Sequence, residues 1–204
     1  MEILIEQTAN SEDVAAMREV WRQVFEGEMG IVIPQDAASS DISHFIARSG
    51  RGGEAVGTLS LVDTSHDLRL QESHDLQFKT GARSARFMHL AVLPPFRGMN
   101  IPLMMALEAH RNIIAPRRYD YTWLLFDVLR ARSSFLCRYL GFKPRDGVYI
   151  SEYGRRCPLV RDELTPGATR AVEQAELYVR QFKRLYQFEH AGRGGGAFVS
   201  QRIA

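Results

Sequence analysis

The chain is poor in cysteine: Cys137 and Cys157 are the only two in 204 residues. Two thiols without metal-ligand spacing argue against a zinc site and suit a reducing, cytoplasmic setting. No apolar run approaches the ~20 residues that cross a bilayer, so no membrane span is expected. A basic n-region is also lacking. Residues 1–6 are acidic and strand-like, and they read as part of the fold rather than a signal peptide. No strip of interleaved basic and aromatic residues suggests nucleic-acid binding. There is no internal repeat. His44, His66, His74 and His110 lack ligand spacing, and no metal is expected. What is present is ordinary for a globular protein: 45% hydrophobic and 25% charged residues. That composition supports one domain with a real core and a modest appendage.

Charge is uneven. Residues 1–78 hold 5 Lys/Arg against 14 Asp/Glu, whereas residues 79–163 hold 15 against 7. An acidic first part and a basic middle suit an amine partner at one end and a phosphate-bearing one at the other. Two solvated faces of opposite sign read equally well.

Periodicity predicts a strand over 2–7, then a helix with Ser11 as N-cap and an apolar stripe of Val14, Met17, Trp21, Val24 and Phe25, ending near Gly27 or Gly30. Strands over 43–48 and 55–62, joined through Gly50 and Gly53, read as a hairpin. Residues 63–84 are polar and without clean period, an excursion long enough to cover a binding site. A strand over 85–93 stops at Pro94 and Pro95. A helix over 101–114, a buried strand over 119–126, a short helix over 130–140 closed by Gly141, and a strand over 148–153 follow. A last helix marked by Val172, Val179 and Phe182 runs to about 188, before a glycine-rich break at 192–196. That helix suits packing in cis; a homodimer contact is the alternative. The fold class is therefore α+β, a mixed sheet packed by helices, with a body over 1–160 and a C-terminal helix and flexible tail over 161–204.

The densest constellation lies at residues 89–102. A strand ends at two prolines, and a turn with Gly98 and Asn100 feeds directly into a helix. Free N–H groups at that helix start, with the helix dipole, form an anion site. Gly98 permits close backbone approach, Asn100 tolerates left-handed geometry, and Arg97 adds a fork of donors suited to phosphate. A pyrophosphate or phosphopantetheine group is expected at 97–102. His89, whose imidazole titrates near neutral pH, is the leading candidate base; it shares a strand face with Phe87 and Ala91, opposite Met88, Leu90 and Val92.

Val92, Pro94, Arg97 and Gly98 resemble the acyl-donor motif of the GNAT superfamily, Val-x-Pro-x-x-Arg-Gly-x-Gly-x-Gly, with Asn100 and Pro102 in place of its later glycines. Residues 135–142, ending Leu140-Gly141-Phe142, resemble a second block of that superfamily. The resemblance implies a GNAT fold and direct attack of an amine on a thioester. Leu90, Ala91 and Val92 would then serve the pantetheine arm, and Arg97, Gly98, Met99, Asn100, Ile101 and Pro102 the phosphates. Catalysis requires a base, an oxyanion site and an acid for the leaving thiolate. Many acetyl-CoA-using members carry a tyrosine acid where this chain has Cys137.

The departures resemble the branch of N-acyl amino acid synthases and acyl-homoserine-lactone synthases, which use acyl carrier protein. Arg22 and Phe25 are similar to its Arg-x-x-Val-Phe signature, and Asp41 to its acidic follow-up; these imply a substrate-binding role for all three. Glu28 is implied as a second base or ammonium ligand. Arg86 stands where lactone synthases carry a catalytic Glu, which argues against lactone formation. The implied activity is N-acyl transfer from acyl carrier protein or acyl-CoA, with a chain as long as a fatty acid, to a primary amine such as an amino acid. The alternatives are a conventional acetyl-CoA transferase and a degenerate donor-binding module. No permanently bound cofactor is implied.

Overall fold

The computed structural model describes residues 2–32, 42–131, 134–151 and 154–191. Strand β1 (Ile3–Thr8) leads into helix α1 (Ser11–Trp21). Its N-cap is Asn10, one residue earlier than expected: the Asn10 side chain accepts from the Asp13 N–H at 2.7 Å and satisfies a first-turn donor. The helix continues as a wider π-type segment, Arg22–Glu28, and stops at Gly30, whose φ is +69°.

The expected hairpin is present as β2 (Ile42–Ser49) and β3 (Ala55–Asp63). The excursion contains a helix that its polar sequence concealed, α2 (Leu68–Ser73), capped by Asp67. After β4 (Ser84–Val92), a single turn Pro94–Phe96 precedes α3 (Ile101–Ala109), which runs on through His110–Ile114 into α4 (Ala115–Arg117). Then come β5 (Tyr121–Asp127), α5 (Phe135–Leu140), β6 (Lys143–Pro144), β7 (Tyr149–Ser151), β8 (Gly154–Asp162) and α6 (Pro166–Ala191). Helix α5 starts later than expected, at the Ser134 cap, and closes on Gly141 at φ +71°.

The strands form one sheet in the order β1-β2-β3-β4-β5-β8-β6, with β7 also on β8. Every pairing is antiparallel except β4–β5. Strand β8 was not expected, and its Pro158 is of a type rare in a central strand. It pairs with β5 along its length, Pro158 standing opposite Leu125. Pro158 is tolerated because its C=O accepts from Arg145 N–H at 2.9 Å on the β6 side. A strand residue's N–H and C=O point the same way, so the missing donor faces the break between β6 and β7 and not the β5 ladder.

Each face of the sheet is covered. Helices α3, α5 and α6 bury one face through Leu103, Met105, Leu136, Val172 and Ala175 against Phe45, Leu59, Phe87, Leu124 and Leu159. On the other face, α1 packs Met17, Val20 and Trp21 on Ile46 and Ala91. Leu76, with Leu70 and Phe78, covers Tyr121, Trp123 and Val160. Among the described residues no helix is long and apolar enough to cross a membrane.

Candidate active site

The parallel strands β4 and β5 pair at only three positions: Ser84–Tyr121, Ala85–Thr122 and Arg86–Trp123. Beyond them no further β4–β5 pairing occurs among the described residues, although β4 runs to Val92 and β5 to Asp127. The strands therefore splay, and facing backbone groups are left for a guest chain. The divergence has a local cause. His89 and Leu90 together oppose Leu59, between the pairs Thr58–Ala91 and Ser60–Met88. His89 lies at φ +50°. The extra residue bends and twists β4, while β5 stays laddered to β8.

The bulge also reverses the alternation of side chains. Phe87 packs in the α3 core and Ala91 against α1. His89 faces α1, so it shares a face with Ala91 and not with Phe87, contrary to the simple strand reading.

Past β4, Gly98 takes φ +89° and Asn100 φ +56°, and the Asn100 C=O accepts from the Met104 N–H at 3.0 Å to open α3. The first turn of α3 leaves N–H groups without intrahelical acceptors, and Pro102 contributes none. Ile101 is fully buried over Gly57, where an added Cβ would lie 3.0 Å from Ile101 Cγ2. The C-terminal helix reaches this turn as well: Tyr178 lies beside the Asn100 side chain and stacks on Tyr139 at 4.7 Å between centroids.

Arg97 and Glu28, expected in separate roles, are partners of one another. Arg97 Nη2 donates to both Glu28 carboxylate oxygens, at 2.6 and 2.8 Å, and Nε donates to the Val92 C=O at 3.1 Å. The guanidinium thus bridges the end of β4, the loop and the end of the π segment.

His89 packs its ring on Trp21, with centroids 4.5 Å apart. Its Nδ1 lies 3.4 Å from Ser60 Oγ, which lies 3.0 Å from His44 Nδ1. Thr58 Oγ1 accepts from Trp21 Nε1 and donates to the His89 C=O, both at 2.8 Å, and so pins the bulge. Burial, with the nearby His44 and Arg86, pushes the His89 imidazole down to about 4. Burial, then Arg18, also lowers His44. These partners escaped the sequence reading. The available signal was the run of polar residues, His44, Thr58 and Ser60, on otherwise apolar strands.

The remaining candidates are dispersed. Arg22 is exposed and pairs with Glu19. Phe25 packs partly buried in the α1 cluster, and Asp41 lies outside the described residues. The Cys137 thiol donates to the Ala131 C=O at 3.1 Å; it lies near Cys157, whose thiol burial pushes up. Leu90 and Met99 are partly buried against the α3 core, and Val92 is buried in it. Among the described residues no group of His, Cys, Asp and Glu could hold a metal. A cavity of about 210 Å³ lies under the excursion, lined by Asp75, Phe78, Arg145 and Asp146 among others, and shares no residue with this site.

No family model matches the chain, and no curated protein matches it in sequence. Solved structures match it in fold. FeeM, an N-acyl amino acid synthase from uncultured soil microbes, is 14% identical over 79% of this chain and 92% of its own, with a TM-score of 0.58. TofI, in a ternary complex with an inhibitor and MTA, is 15% identical over 85% and 97%, at 0.58. Arabidopsis thaliana NAA60, in complex with acetyl-CoA, is 13% identical over 79% and 98%, at 0.61. With its mixed sheet, β4 and β5 splayed at a bulge and a glycine turn opening α3, this chain has the fold of the GNAT N-acyltransferases.

Proposed function

We propose that the protein transfers an acyl group from a phosphopantetheine thioester to a primary amine such as an amino acid. The observation that carries this reading is the splayed edge of β4, bulged at His89 and running straight into the turn that opens α3. A pantetheine arm resembles a short peptide, and such a guest adds to an open strand edge through backbone bonds. Leu90, Ala91 and Val92 would serve it, and the first turn of α3 its phosphates. FeeM supports an amino acid as acceptor, and NAA60 supports a thioester donor, since one is an N-acyl amino acid synthase and the other binds acetyl-CoA.

In this mechanism a neutral amine attacks the thioester carbon. The C–N bond forms as the carbonyl electron pair moves to oxygen, where strand-edge N–H groups can receive it. His89 accepts the ammonium proton, the tetrahedral species collapses, and the C–S bond breaks. The departing thiolate takes a proton, for which the Cys137 thiol is the candidate donor. Held down to about 4, the His89 imidazole is neutral at working pH and has a free lone pair for this proton. Both cysteines are free thiols, which fits a cytoplasmic setting.

The donor is read as acyl carrier protein before CoA. Carrier proteins are acidic, and the basic middle of the chain would steer one. Glu28 occupies Arg97, which leaves the phosphate site chiefly to backbone groups. Incubation with amine pools and either acetyl-CoA, long-chain acyl-CoA or acyl carrier protein, followed by thiol release, tests the reading. Release is expected from the carrier protein with long chains. Release from acetyl-CoA alone would make the protein a conventional acetyltransferase, and no release from any donor would end the enzymatic reading.

A further inference from the structure

We infer that Ser60 and His44 are positioning residues that set the tautomer of His89, through a hydrogen-bonded chain crossing β2, β3 and β4. The inference rests on the reading of His89 as base. Ser60 Oγ is fully buried and lies between two imidazole Nδ1 atoms, His44 at 3.0 Å and His89 at 3.4 Å. A hydroxyl has one proton to give. When it donates to one Nδ1 it can only accept from the other, and in that arrangement the two histidines hold opposite tautomers.

The role of His89 as base selects the arrangement. A base needs a bare Nε2, so His89 Nδ1–H donates to Ser60 Oγ, and the Ser60 O–H is left for His44 Nδ1. His44 then carries its proton on Nε2. His89 carries its own on Nδ1 and presents a bare Nε2, the form that can accept a proton. The reverse assignment would put a hydrogen on Nε2 and disable it. When His89 becomes imidazolium, its Nδ1–H bond to Ser60 turns charge-assisted and tightens.

The rest of the surroundings serve the same end. Trp21 packs against the His89 ring at a tilt of 44°, while Thr58 ties down its backbone. His44 is 5% exposed, so its own protonation is opposed by burial. Burial first, with Arg18 of α1 acting on His44, and His44 and Arg86 of β4 acting on His89, lowers both imidazoles and favours the neutral rings that a tautomer-selecting chain requires.

Imidazole ¹⁵N NMR of the wild-type protein at neutral pH tests the tautomers without any substrate. His89 is expected as Nδ1–H and His44 as Nε2–H; a His89 carrying its hydrogen on Nε2 overturns the inference. In turnover, Ser60→Ala should lower kcat roughly ten- to a hundred-fold, part of what a positioned base supplies, with donor KM little changed. The pH profile of the residual rate should shift. His44→Asn, which keeps an acceptor near Nδ1, should stay closer to wild type than His44→Leu. Wild-type kcat in Ser60→Ala with an unchanged His89 tautomer overturns the inference. The failures are separable. A wild type that releases no thiol, or a His89→Ala variant as fast as wild type, sinks the base assignment, and the NMR result alone then decides the chain.

Discussion

At the scale of single residues, the pair Glu28–Arg97 governs how the proposed donor loop would meet a phosphate. Both side chains are partly exposed, 35% and 49%, so the pair contributes at most about 1 kcal/mol to stability. A phosphate competing for the same guanidinium must displace a carboxylate and sit beside its charge. Glu28→Gln should therefore tighten donor binding about two- to five-fold, an effect within the range of an exposed ion pair. Calorimetric titration with CoA measures it. Weaker binding in Glu28→Gln would mean that the carboxylate serves the donor by holding Arg97 in place.

At the scale of elements, the position of α3 is set by a glycine in a different strand. Gly57 of β3 stands opposite Val92, and a Cβ there would lie 3.0 Å from Ile101 Cγ2 and 3.3 Å from the Ala91 oxygen. The helix start and the strand before it both converge on this point. Gly57→Ala should overpack the contact, costing about 1–3 kcal/mol, and should weaken donor binding by moving the first turn of α3. Denaturation midpoint and CoA affinity should fall together. A stability loss with unchanged affinity would show that the turn moves independently of the sheet.

At the scale of the whole molecule, stability depends on two buried imidazoles. His89 and His110 are each held near 4 in the fold, mainly by burial, against 6.5 when free. Between those values the unfolded chain binds protons that the native chain does not. Stability is therefore full above about pH 6.5 and falls as pH drops towards 4, by up to about 1.4 kcal/mol per pH unit for each histidine. Urea denaturation at neutral pH and about pH 5 should show the decline, and His110→Leu should make it shallower. A flat profile over that interval would mean that these rings are not neutral in the fold.

Much of the frame was legible in sequence because it is local. The apolar stripe of α1, the glycine turn between β2 and β3, the prolines closing β4, and the run from Gly98 and Asn100 into α3 each depend on residues within a few positions of one another. The α+β class and the glycine turn that opens α3 followed from them. What depended on distant partners was not legible. Strand β8 is held by β5 and Arg145, which a window around Pro158 does not contain. The bulge that turns His89 towards α1 arises from the register against β3. Arg97 meets Glu28, and His89 meets Ser60 and His44, across strands whose proximity is set by sheet order. Short-range dihedral preferences, caps and periodicity determined which segments are strands, helices and turns. Only the tertiary structure decided which side chains face each other, because pairing between distant strands is selected by packing the whole core at once.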